Sequence, residues 1–132
     1  MWRSGVLRRR SHVALLEMME NAARSGSFES PWRATPQVWE FFRDEAEILC
    51  HLQREWRTAL AGAVYVAIEA GEGNLEHDVM SAFLKVQRKH YALRKVLEVH
   101  AEHPSIAAAM RKERTLLSKF TGQTSDGAPQ AA

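Results

Sequence analysis

With a single cysteine in 132 residues, Cys50, the chain has no internal disulfide open to it, which excludes the covalent scaffold of small secreted domains. Long apolar runs are missing as well. The longest stretch without charge extends from Thr58 to Ile68, far short of the roughly 20 residues that cross a bilayer. Phosphate-loop chemistry has no support, because Gly71-Glu72-Gly73 lacks the further glycine and lysine such a loop needs. The one thiol lies mid-helix among Ile48, Leu49 and Leu52, where it reads as a small buried hydrophobe in a reducing compartment and not as a nucleophile. The expected location is the cytoplasm. No cofactor is implied.

What the sequence does contain is helical periodicity. Trp39, Phe42, Ala46, Leu49, Gln53, Trp56, Leu60, Ala63, Ala67 and Ala70 recur at alternating steps of three and four, placing them on one face of a helix. Thr35 is a favourable N-cap and Pro36 suits the first helical position, so this helix is expected over about 36–70, closed by Gly71 and Gly73. Asn74 caps a second helix expected over about 75–102, with Leu75, Val79, Ala82, Val86, Leu93 and Val96 on its inner face and Pro104 as its stop. The short connection between them implies a long antiparallel helical hairpin.

Shorter terminal helices complete an all-α bundle. Ser11 can cap a first helix carrying Leu15, Met18 and Ala22 and ending near Ser25-Gly26-Ser27, and a last one begins near Ser105 and stops at Gly122. The expected organisation is a poorly ordered basic stretch at 1–10, one helical-bundle domain at 11–122 and a disordered polar tail at 123–132. Within the domain Trp39 and Trp56 are expected in the core, and Trp32 over the end of the bundle.

The closed end of the hairpin is unusually greasy. Residues 59–68 read ALAGAVYVAI and residues 79–86 read VMSAFLKV, apolar on nearly every face. The terminal helices enter from the opposite end and are too short to reach it, the last one extending only to the level of about residue 88. An apolar surface of this size marks an interaction site. Its expected members are Leu60, Ala63, Val64, Ala67 and Ile68 on the first long helix and Val79, Met80 and Phe83 on the second, and its expected partner is a second copy, giving a homodimer. On this reading the protein is a non-enzymatic interaction or scaffolding protein. A break at Gly62 that folds the chain back on itself is the opposing expectation.

Two rival readings rest on polar residues. His100 and His103 lie one turn apart, level with Asp44 and Glu47 of the long helix, a set that could hold Zn²⁺ or Fe²⁺. No glutamate is followed three residues later by histidine, so the ferritin-like pattern is missing. His90 reads as a hydrogen-bonded core histidine. The other rival is nucleic-acid binding through Lys85, Arg88, Lys89, Arg94 and Lys95 together with Arg8 to Arg10 and Arg111, Lys112 and Arg114. Against it, Glu98, Glu102 and Glu113 interrupt the cationic surface, no helix-turn-helix spacing is present, and residues 34–74 carry seven acids against three bases that complement the basic segments around them.

Overall fold

The fold is seen in a computed structural model, in which residues 2–71 and 73–120 are described. It is all helical: α1 (Trp2–Ser25), α2 (Glu45–Ala70), α3 (Leu75–Lys89), α4 (Tyr91–Val99) and α5 (Ala107–Phe120), with two 3₁₀ turns at Pro31–Ala34 and Pro36–Glu40 and no strand among the described residues. The expected tail at 123–132 lies outside the described residues.

The long first ladder begins later than its spacing suggests. Pro36 opens a 3₁₀ turn, not an α-helix, and α2 starts only at Glu45 behind an Asp44 cap. The side chain of Asp44 accepts from the Glu47 backbone N–H at 2.9 Å, while the Glu47 carboxylate accepts from the Arg43 N–H, so two donors that the helix leaves unpaired are satisfied reciprocally. Thr35 is fully buried and its hydroxyl accepts from Asn21 at 2.7 Å, which binds the turn to α1 in place of capping a helix. Trp39, expected in the core, is therefore 41% exposed. Trp32 is buried at the bundle end, with its ring 5.5 Å from that of His100.

From Glu45 onward α2 is unbroken through Gly62 as far as Ala70. Asn74 caps α3 by accepting from the His77 N–H at 3.0 Å. Gly73 has φ +97° and makes the turn between the two helices, whereas Gly71 is extended and is required for a different reason. A Cβ there would collide with the Asp78 carboxylate and the Ala67 carbonyl. The second ladder divides at His90 into α3 and α4 and ends at Val99, so the single helix expected to 102 is two. The first helix also differs. It is continuous from Trp2, so the helix begins well ahead of Ser11 and takes in residues 2–10 of the basic stretch expected at 1–10.

The core collects one face of each helix: Leu15 and Met18 from α1, Ile48, Leu49, Leu52 and Trp56 from α2, Phe83 and Val86 from α3, Leu93, Val96 and Leu97 from α4, and Met110 from α5. A charged cluster sits within it. Arg94 of α4 lies over the Trp56 ring at 4.8 Å and the Phe83 ring at 5.3 Å, and its guanidinium donates to Glu113 of α5 at 2.6 Å and to Glu98 at 3.1 Å. The Trp56 indole N–H donates to the other oxygen of Glu113 at 2.6 Å. One carboxylate thus ties α5 to α2 and α4.

The side chains of Arg94 and Glu113 are each only 12% exposed, and removing one member leaves the other charge without compensation. Glu113→Ala is expected to lower the unfolding free energy in urea by about 3 kcal/mol, and the double variant Arg94→Met/Glu113→Leu to recover most of that loss.

Candidate functional site

The apolar tip is present, with a membership that differs from the expected one. Val79 and Phe83 are buried in the subunit's own core, Phe83 edge-on against Trp56 with ring centroids 5.9 Å apart. Leu60, Ala63 and Met80 are half-buried against that core, Val64 and Ala67 are of intermediate exposure, and Ile68 is 45% exposed. The fifth helix reaches further than its length alone implies, since α5 packs along α3. What stays open is the distal part of the hairpin. Tyr65 and Val66 are 67% and 64% exposed, and Leu75 and Leu84 are exposed on α3. These four are exposed apolar side chains of the tip, whereas Val79 and Phe83 are not.

A groove of about 500 Å³ runs along this tip between α2 and α3. Its α2 wall is Thr58, Ala59, Gly62, Ala63, Val66 and Ala67, the stripe generated by steps of three and four, and no charged residue stands on it. Its α3 wall is polarised. Asp78 lies toward the turn, Ser81 and Ala82 are in the middle, and Lys85 and Lys89 lie at the far end. Asp78 and Lys85 stand two helical turns apart, about 10 Å along the axis, too far to neutralise one another. The charges outside the groove follow the same polarity, with Glu69 and Glu76 near the turn and Arg57 and Arg88 toward the body of the bundle.

A second cleft, of about 720 Å³, opens between α1, α2 and α4. Leu15, Ala59 and Leu93 contribute its apolar lining, and Arg8, Arg9 and Arg54 its cationic groups. His12 of α1 faces Glu55 of α2 within it at 3.1 Å. His90, expected as a core histidine, is half-exposed at the junction of α3 and α4 and lines both cavities.

The candidate metal set does not assemble. The two ring nitrogens of His100 face the backbone oxygens of Val96 at 2.8 Å and Glu29 at 3.0 Å, so neither presents a lone pair to a metal. His103 Nδ1 accepts from the Ser105 backbone N–H at 3.1 Å. Asp44 and Glu47 are occupied in capping α2. Among the described residues no group of three or more histidine, cysteine or acidic side chains is placed to hold a metal ion. Cys50 is half-buried, its thiol 3.6 Å from the Ser105 carbonyl. Of the basic set, Arg94 is held by Glu113 and Glu98, and Arg10 lies over the Phe41 ring at 5.6 Å.

Compared with known proteins, the chain matches no family model, no curated protein and no solved structure. Among the described residues no helix is long and apolar enough to cross a membrane.

Since His100 joins α4 to the loop at Glu29, His100→Ala is expected to cost about 1–2 kcal/mol of stability. A chelator such as EDTA should leave the melting temperature of the natural protein unchanged. A chelator-induced fall would show that a metal contributes to the fold.

Proposed function

We propose that this chain is a non-enzymatic helical-bundle interaction protein of the cytoplasm that self-associates through the α2/α3 tip. The observation that carries this reading is the polarity of the tip groove, apolar in the middle, acidic at one end and basic at the other. A surface with that pattern is complementary to itself after a half-turn. Two copies packed antiparallel about a two-fold axis near Ser81 and Ala82 bring Lys85 of each level with Asp78 of the other. The same axis brings Arg88 level with Glu76 and Arg57 level with Glu69, since these pairs are disposed almost symmetrically about the same centre.

The apolar component has the same symmetry. Gly62 and Ala63 lie at the centre of the α2 wall and allow the two backbones close approach, while exposed Tyr65 and Val66 on each copy supply area that burial removes from water. The resulting assembly is a four-helix contact built from two hairpin ends. Its apolar centre supplies affinity, and the flanking charges fix the orientation and reject a parallel arrangement, in which like charges would face each other.

The test exploits the two-fold pairing. Lys85→Glu and Asp78→Lys are each expected to weaken self-association in sedimentation equilibrium by about tenfold, because each places two like-charge pairs across the axis. An equimolar mixture of the two variants is expected to associate as strongly as the natural protein. In the mixed pair the introduced carboxylate of one copy meets the introduced ammonium of the other, and the natural Lys85 and Asp78 meet on the opposite side of the axis. Val66→Glu, at a position exposed in the free subunit, should abolish association without loss of helicity. A natural protein that sediments as a monomer at high micromolar concentration would overturn the proposal.

A further inference from the structure

The cleft between α1, α2 and α4 stands apart from the tip in its chemistry. Arg8 and Arg9 come from one helix and Arg54 from another, and all three line the same concavity. Among the described residues none of the three has a carboxylate within ion-pair distance, whereas Glu55, the one acid in the lining, is already engaged by His12. The cleft therefore carries three arginines against one carboxylate, an excess of two positive charges, beside Leu15, Ala59 and Leu93. Guanidinium is the side-chain group best matched to a carboxylate or phosphate, which it holds with two parallel hydrogen bonds. At about 720 Å³ the space is of the size that encloses most of a small organic molecule.

From these features we infer that the cleft is a binding site for an amphipathic organic anion: a carboxylate or phosphate head held by Arg8, Arg9 and Arg54, and a hydrocarbon body lying over Leu15, Ala59 and Leu93. A simple inorganic anion fills too little of the apolar lining, and an uncharged hydrocarbon leaves the excess positive charge unanswered. Both parts of the ligand are needed. The whole lining comes from one copy of the chain, so the site does not depend on self-association.

Isothermal titration calorimetry of the full chain with dodecanoate and with dodecyl phosphate separates the two possible heads. Acetate, inorganic phosphate and dodecanol supply head and tail alone. The expected result is saturable one-to-one binding of at least one of the two amphiphiles, with none of the three fragments binding at the same concentration. The triple variant Arg8→Gln/Arg9→Gln/Arg54→Gln, altered only at exposed positions, should retain its circular dichroism spectrum and lose affinity by more than about tenfold. No saturable binding of either amphiphile below its micelle concentration, or equal affinity in the triple variant, would overturn the assignment. Tip variants such as Val66→Glu should bind as the natural protein does, so a negative result here is distinguishable from failure of self-association.

Discussion

The arrangement of the bundle depends on a carboxylate that serves two donors. Glu113 accepts from the Arg94 guanidinium through one oxygen and from the Trp56 indole through the other, and Arg94 in turn covers the faces of Trp56 and Phe83. A buried charge is costly unless its hydrogen bonds are complete, and here three helices, α2, α4 and α5, must be correctly placed for them to be so. Hydrophobic burial holds these helices together without specifying their rotation. The cluster specifies it, because α5 has a single rotation in which Met110 enters the core while Glu113 reaches both donors.

That anchoring fixes what remains uncovered. The core concentrates where Trp56 meets Phe83, and past the reach of α5 the residues nearest the turn, Tyr65, Val66 and Leu75 among them, stay exposed. Gly62, in the α2 wall of the distal groove, contributes little to the fold of one subunit: a Cβ added there would meet nothing within 4 Å. Residues that leave room without using it make sense where a second surface fills the space. The first helix has a similar division, buried at Leu15, Met18 and Ala22 and exposed throughout 5–10.

The helical class was legible in the sequence, and so were the cap at Asn74, the turn before it, the burial of Trp32 and the continuity of an apolar ladder through Leu49, Gln53 and Trp56. The departures have identifiable causes. Thr35-Pro36 has the composition of a helix start, and its local preference is overridden by burial of the threonine against Asn21, with Asp44 and Glu47 forming the actual start well downstream. The break at His90 has no proline or glycine to announce it. It allows Leu93, Val96 and Leu97 of α4 to turn onto the same core as Val86 of α3, a tertiary requirement that a period of 3.6 cannot express. The Arg94–Glu113 pair spans two helices and leaves no local trace. Helix lengths alone put Val79 and Phe83 on the outer surface, yet α2 and α5 both pack on α3 and the two side chains are buried. The end-to-end charge polarity of the tip is present in the sequence, in Asp78 and Lys85, and acquires meaning only when both are seen to line one groove.

The first helix has a mechanical character that its secondary structure alone conceals. Its C-terminal half is clamped by Leu15, Met18 and Ala22, while the turns from Gly5 to Arg10 stand clear of the core, steadied across the cleft by the pairing of His12 with Glu55. It has the geometry of a cantilever: the stretch from Ala14 back to Gly5 is an arm of roughly 14 Å, so a tilt of about 10° at the clamp would swing the free end by roughly 2 Å and change the width of the cleft by more than a bond length.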